Sequence, residues 1–448
     1  MEKHLVFTRR ITTTAYKQMK NETVANLWRR FTQDNITLDI VPCEDFVFQI
    51  GGVSPPTLED DREYALTVTP DGLAIIGKDY GGLMRGFFSL LMKIEQRGSD
   101  FVIGCTEESS GYLLKYRMIH LCVFPENDAN YMKKLIRLAA LCQYTHVVIE
   151  FWGTLQYDCL KELSWPNAFT KDEVREWIRE CRELGMEPIP MFNQLGHATE
   201  ARAYYGKHVV LDQNPKLQRL YTPDGWAWNI ESEEVRLLLK AVRHELYELF
   251  GEGSYLHIGC DEAYFISANE NLRKQLPAYL GNLTHEVESE GRRPMLWMDM
   301  LLEKGVFPHC YTVGEKDEVE AIRNATAPST VFVDWQYDCF EAPIPSLASL
   351  KDCGHDVIGA PWYDDRNFGA HIETVVEHEL FGIMLTTWHT LKDRMISLLC
   401  CAKRCGAVSF TWSQYATPFT ETATLLRYLS WEKGTYSDYG WAKEQIEV

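Results

Sequence analysis

From Tyr112 onward the chain repeats one alternation: an apolar run short enough for a buried strand, then a stretch of helical period. Eight runs fit strands: Tyr116–Leu121, His146–Phe151, Glu187–Phe192, Tyr255–Gly259, Pro294–Met298, Thr330–Trp335, Asp356–Pro361 and Gly382–Trp388. Helical patterns lie between most of them, among them Asn130–Cys142, Lys171–Leu184, Glu233–Phe250 and Asn269–Glu290. The pairs Leu184-Gly185 and Glu290-Gly291 read as glycine C-caps. Eight such units in roughly 300 residues is the arithmetic of a closed (β/α)8 TIM barrel. A doubly wound open sheet is the alternative. The barrel is preferred because polar and aromatic residues gather at the C-terminal end of nearly every strand, where barrel sites are built.

Residues 1–112 read as a small α/β domain preceding the barrel, and 113–448 as the barrel with a C-terminal helical tail. Val24–Phe31 is helix-like, and Ile36–Val41, Phe46–Ile50, Glu63–Val68 and Leu73–Ile76 are strand-like. Pro70-Asp71-Gly72 is a hairpin turn. Asp79 caps a helix expected to run to Gln96, with Leu83, Phe87, Leu90, Leu91 and Ile94 on one face.

A net charge of −19 argues against nucleic acid or an anionic membrane as partner and favours a neutral substrate. The thirteen cysteines are scattered, with no C-x-x-C pair, as expected of reduced thiols in a cytoplasmic protein. Met1–Tyr16 lacks an apolar core of signal-peptide length, and no run of about 18 apolar residues exists to span a membrane. Oligomeric state is not legible.

The chemistry centres on Tyr255-Leu256-His257-Ile258-Gly259-Cys260-Asp261-Glu262. Neighbouring residues on a strand face opposite ways, so Asp261 and Glu262 share a site only where the strand ends and turns. Two carboxylates in a partly dry cleft oppose each other's ionisation, which lets one serve as acid while the other stays anionic. The remaining strand ends supply Arg117, Glu150, Asn193, His197, Asp299, Tyr337 and Asp365. Trp152, Trp297, Trp335, Trp362 and Trp388 recur at or just past five of them. Aromatic faces suit the C–H faces of a pyranose, and carboxylates and arginine suit its hydroxyls. A metal-dependent hydrolase is disfavoured, because no strand carries His-x-His and no lysine stands at a strand end. No metal and no cofactor are expected.

These residues resemble a known family. His257-x-Gly259-x-Asp261-Glu262 is similar to the signature of family 20 glycoside hydrolases, the β-N-acetylhexosaminidases. Gly81-Gly82-Leu83-Met84-Arg85-Gly86, Lys115-Tyr116-Arg117, Leu195-Gly196-His197, Trp297-x-Asp299 and Pro361-Trp362-Tyr363-Asp364-Asp365 resemble its further motifs in order, closest to the hexosaminidase D-like branch.

The resemblance implies an exo-acting retaining enzyme that removes terminal β-linked GlcNAc or GalNAc with help from the substrate's own acetamido group. Glu262 would be the acid and base, Asp261 would hold the acetamido nitrogen, and Tyr363 would donate to its oxygen. Arg117 and Asp365 would take sugar hydroxyls. Trp297, Trp335, Trp362 and Trp388 would wall the pocket, and His197 would support the acid. The alternatives are an exo-glycosidase for a different or modified sugar and a non-catalytic sugar-binding barrel. Two positions depart from the family. Trp388-His389-Thr390 replaces Trp-x-Glu, so recognition at C4 is expected to be loose. Glu150-Phe151-Trp152 replaces a His-x-x-Asp-Asp run, so Glu150 either replaces the family's aspartate or forms a plain salt bridge.

Overall fold

The computed structural model of the chain describes residues 3–124, 127–199, 211, 214–388, 395–407 and 417–432. Eight parallel strands close into a barrel in chain order. They are Tyr116–Cys122, His146–Glu150, Glu187–Met191, Tyr255–His257, Arg293–Trp297, Val331–Asp334, Asp356–Gly359 and Gly382–Leu385. The first pairs with the last from Tyr116↔Gly382 to Ile119↔Leu385, and this closure rules out the open sheet. The strands read as near-continuous apolar runs because both faces are covered: His146–Glu150 is buried at every position.

The helices outside the barrel are amphipathic and capped. Lys171–Glu183 starts on a capping box of Thr170 and Glu173 and buries Val174, Trp177, Ile178 and Cys181. Glu233–Phe250 starts at Ser232 and stops at Gly251, whose φ is 68°. The helix read over Asn269–Glu290 is two, Glu270–Arg273 and Leu276–Ser289. Pro277 belongs in a first turn, so it starts the second helix and cannot continue the first.

Before the barrel lies a six-stranded sheet in the order Thr37–Cys43, Arg10–Tyr16, Val47–Gly51, Gly72–Gly77, Tyr64–Thr69, Thr106–Ser109. The first two strands are parallel and the rest antiparallel. Helices Glu22–Phe31 and Tyr80–Met92 accompany it, and Trp28, Phe48 and Phe87 form a buried aromatic cluster between these elements. The Asp79-capped helix ends at Met92, not Gln96. Ile94 keeps the apolar period, but Glu95–Arg97 turns back and pairs with Asp100–Gly104. The small domain and the near side of the barrel share one hydrophobic core, from Phe87 and Leu90 to Leu135, Ile149 and Trp177.

The polar link between these parts is Glu63, whose carboxylate meets the guanidinium groups of Arg85 and Arg117. This corrects the role expected of Arg117. It is the second residue of its strand, about 16 Å from the C-terminal end at roughly 3.3 Å per residue. Its buried guanidinium lies 3.8 Å from the Tyr112 ring centroid and also donates to the Gln143 carbonyl at 2.9 Å. It therefore braces the bottom of the barrel and is out of reach of the mouth. Beyond the eighth strand, helices Ile396–Arg404 and Pro418–Tyr428 pack back on the barrel. Buried Arg137 pairs there with Glu180 at 2.6 Å and with Glu432.

Glu63→Gln would leave two nearly buried guanidinium groups without their carboxylate. We expect a loss of about 3 kcal/mol, the scale of breaking a buried ion pair, read as a lower denaturation midpoint.

Candidate active site

The fourth strand ends at His257, and three of the next five residues adopt conformations that side chains usually avoid. Gly259, Cys260 and Glu262 have φ of 64°, 75° and 52°. Gly259 is required: a Cβ there would stand 1.7 Å from Asn193 Oδ1. Gly196, in the turn after the third strand, is required likewise, since its Cβ would meet the Asp261 carbonyl at 1.8 Å. The two turns thus press together backbone to backbone. That contact puts His197 beside both carboxylates, with Nε2 at 2.9 Å from Glu262 Oε2 and 3.4 Å from Asp261 Oδ2.

Glu262 is held at several points. Its backbone N–H donates to Asp299 Oδ2 at 2.7 Å, and its carbonyl accepts from Trp226 Nε1 at 2.7 Å. Asp299 also accepts from the Thr312 hydroxyl at 2.8 Å. Burial pushes the Asp299 carboxyl up to about 7, with the Glu262 charge adding to the rise. Asp261 is pushed well up by burial, against the pull of His197, with Asp299, Glu262 and Glu150 adding to the rise. Asp261 Oδ1 is buried and has no hydrogen-bond partner.

These carboxylates face a cleft whose apolar walls come from other strand ends: Phe124, Trp152, Trp335, Trp362 and Trp388. Tyr337 completes one wall. Its hydroxyl accepts from Trp388 Nε1 at 2.6 Å and from the Thr386 hydroxyl at 3.4 Å, which ties together the ends of the sixth and eighth strands. Cys122 also faces the cleft.

The structure therefore brings Asp261, Glu262, His197, Trp335, Trp362 and Trp388 together and leaves four expected residues outside. Arg117 is at the opposite end of the barrel. Trp297 is fully buried beneath the cleft, 4.4 Å from the His257 ring and 5.6 Å from Trp388, so it supports a wall and is not one. Asp365 starts the helix after the seventh strand, and its exposed carboxylate is paired with Arg404, with 3.0 Å from Nε to Oδ1. Tyr363 is 43% exposed with its ring edge-on to Trp362, outside the cleft lining. His389 and Thr390 lie outside the described residues.

Tyr337 and Trp152 stand among the strand-end residues of the sequence, but the family resemblance assigns neither a place in the pocket. Both follow strand ends, but nothing in the sequence separates a ring that faces the cleft from one that packs under it. Glu150 is fully buried, and of its two expected roles the structure shows the pairing with a basic side chain. It meets His120 Nε2 at 2.9 Å and accepts from Asn193 Nδ2 at 2.7 Å. Among the described residues, His120, Cys122 and Glu150 are the group whose donor atoms could together hold a metal ion. No described helix is long and apolar enough to cross a membrane.

The sequence profile of the "Glycosyl hydrolase family 20, catalytic domain" matches residues 153–378, half of the chain, including Asp261 and Glu262. A lacto-N-biosidase of Bifidobacterium bifidum is 20% identical over 257 residues, which are 53% of this chain and 22% of that protein. Hexosaminidase D of Bos taurus is 25% identical over 185 residues, 38% of this chain and 51% of that one. The chain thus spans about half or less of the length of these curated relatives. In three dimensions it is similar to a mutant β-hexosaminidase of Streptomyces plicatus in complex with product GlcNAc. The TM-score is 0.67 at 14% identity, over 97% of this chain and 94% of the other. At that identity the likeness speaks for the fold.

The raised Asp299 carboxyl has a consequence for stability. An unfolded aspartate titrates near 4, so between about pH 4 and 7 the folded chain binds the extra proton, and stability falls as pH rises through that window. Asp299→Asn keeps an acceptor for the Glu262 N–H and cannot ionise. We expect its stability to decline less between pH 5 and 8 than that of the unaltered chain, as measured by urea denaturation at both pH values.

Proposed function

The chain belongs to glycosyl hydrolase family 20, and from that membership and the chemistry of its cleft we propose that it is an exo-acting, retaining β-N-acetylhexosaminidase. The observation that carries this reading is Asp261 Oδ1, a buried acceptor with no partner, beside Glu262 and walled by tryptophans. A buried unsatisfied acceptor is costly, so a donor is wanted there. The N–H of a 2-acetamido group is such a donor. A plain hydroxyl could also donate, but only the acetamido group brings a nucleophile with it.

The acetamido carbonyl attacks C1 while Glu262 protonates the departing glycosidic oxygen. The nitrogen gains positive charge in the resulting oxazolinium ion. Asp261 accepts its N–H at the buried, unpartnered Oδ1. Glu262 then takes a proton from water, which opens the ring from the same face and gives net retention. His197 at 2.9 Å keeps the Glu262 carboxyl in place for both half-reactions.

The tyrosine expected to polarise the acetamido carbonyl was Tyr363. Tyr337 is the better candidate, because it faces the cleft and its hydroxyl accepts from Trp388 Nε1 at 2.6 Å, which leaves its own hydrogen to donate. The tryptophan walls suit the apolar faces of one terminal sugar, which supports exo action. The coarser part of this reading, a glycosidase acting on terminal β-N-acetylhexosamine, rests on family membership; the mechanism rests on the cleft.

Hydrolysis of nitrophenyl β-GlcNAc followed by proton NMR tests the mechanism: the β-anomer of the product should appear first, and initial release of the α-anomer would sink it. Glu262→Gln should lose about 10²–10⁴-fold in rate on substrates with poor leaving groups and far less on activated ones. An equal loss on both would remove Glu262 from the acid role.

A further inference from the structure

Beneath the Asp261–Glu262 pair lies a second group of reactive side chains that the glycosidase reading does not use. His120 and Cys122 are two apart on the first barrel strand, so both point to its inner face. Glu150 ends the second strand, whose register sets it directly opposite Cys122. All three are at most 1% exposed, and their donor atoms lie within 4.8 Å of one another. His120 engages Glu150 through Nε2 and leaves Nδ1 buried with no hydrogen-bond partner.

We infer that His120, Cys122 and Glu150 form a binding site for one thiophilic divalent cation of the Zn²⁺ class in the floor of the cleft.

The donor set decides the class of ion. One nitrogen, one sulfur and one carboxylate oxygen suit Zn²⁺ and its neighbours, whereas Mg²⁺ and Ca²⁺ prefer oxygen alone. Zn²⁺ bonds of about 2.0 Å to nitrogen and oxygen and 2.3 Å to sulfur hold ligand atoms roughly 3.3–3.8 Å apart, so side-chain shifts of about 1 Å close the cluster. Charge favours it too. Thiolate and carboxylate together cancel the ion's two positive charges. Binding releases the thiol proton of Cys122 to solvent and replaces the hydrogen bond between His120 Nε2 and Glu150, whose proton moves to the unpartnered Nδ1 of His120. Asn193 supports the site from outside by donating to Glu150 at 2.7 Å, the kind of partner that orients a metal-binding carboxylate.

Three protein ligands leave a tetrahedral ion one open position. Cys122 faces the cleft, so that position points where the sugar is proposed to sit. The ion is then not a cofactor but a competitor for substrate. This second half rests on the proposed function; the site itself does not.

Titrating the full chain with Co²⁺ tests the site without any activity. One equivalent should produce the thiolate-to-cobalt charge-transfer absorption, and Zn²⁺ should displace it while Mg²⁺ should not. The band should vanish in Cys122→Ser, and Co²⁺ affinity should fall at least tenfold in His120→Gln. In the unaltered chain, Zn²⁺ should slow alkylation of Cys122 at least tenfold, read by peptide mass spectrometry, which guards against variants that fail to fold. No band, a band that survives Cys122→Ser, or unchanged alkylation would overturn the site. Zn²⁺ should raise KM for a nitrophenyl sugar at constant kcat; a bound ion that leaves KM unchanged would overturn the competing role alone.

Discussion

The close approach of two turns is the constraint on which the candidate site depends. Gly196 stands against the Asp261 carbonyl and Gly259 against Asn193, with no room for a Cβ at either place. From that contact follow the reach of His197 to both carboxylates and the anchoring of Glu262 through its own backbone. The parallel barrel supplies the rigid base for both turns. Neighbouring strands three and four meet at Met191↔His257, the last paired residues before the chain departs from the ladder. Function sits immediately past the end of regular hydrogen bonding, where backbone direction is free to be set by packing.

Electrostatics at this point is one-sided. Asp261, Asp299, Asp334 and Glu150 are buried in the upper half of the barrel, and burial raises the carboxyls of the first three, Asp334 to about 7. Such groups cost stability, and a chain selected only for folding would not gather them. They make sense as a field prepared for positive charge. Positive charge developing on a bound sugar would draw these carboxyls toward their ionised form, in a dry setting with little solvent to reorganise.

Much of this was legible in the sequence, and the misses have a common cause. Apolar runs bounded by turn residues located all eight barrel strands, because strands buried on both faces must be apolar throughout. Asp261 and Glu262 stood out because two adjacent carboxylates after a buried strand have no packing use. Arg117 was misplaced by an error of polarity: it opens its strand, and a parallel barrel puts opening residues at the end opposite the mouth. Trp297, Trp152, Tyr337 and Tyr363 all follow strand ends, and periodicity cannot tell which ring faces a cleft, which lies under it and which faces solvent. The partner of Glu150 was equally hidden, since pairing with His120 depends on the register between neighbouring strands.

Six residues at strand ends, Trp152, His197, Cys260, Glu262, Tyr363 and Trp388, hold left-handed backbone angles between 28° and 75° without being glycine. Each such residue costs of order 1–3 kcal/mol, and most of that cost falls on one rim, with Gln143 and Glu379 carrying the same strain at the base. The barrel is therefore unevenly stable along its axis. Its base is cross-linked by Glu63 and closed by hydrogen-bonded strands, while its rim holds strained turns kept in place mainly by one another. Warming such a body relaxes the rim first. On the proposed function, activity would then be lost on warming before the secondary structure of the barrel beneath.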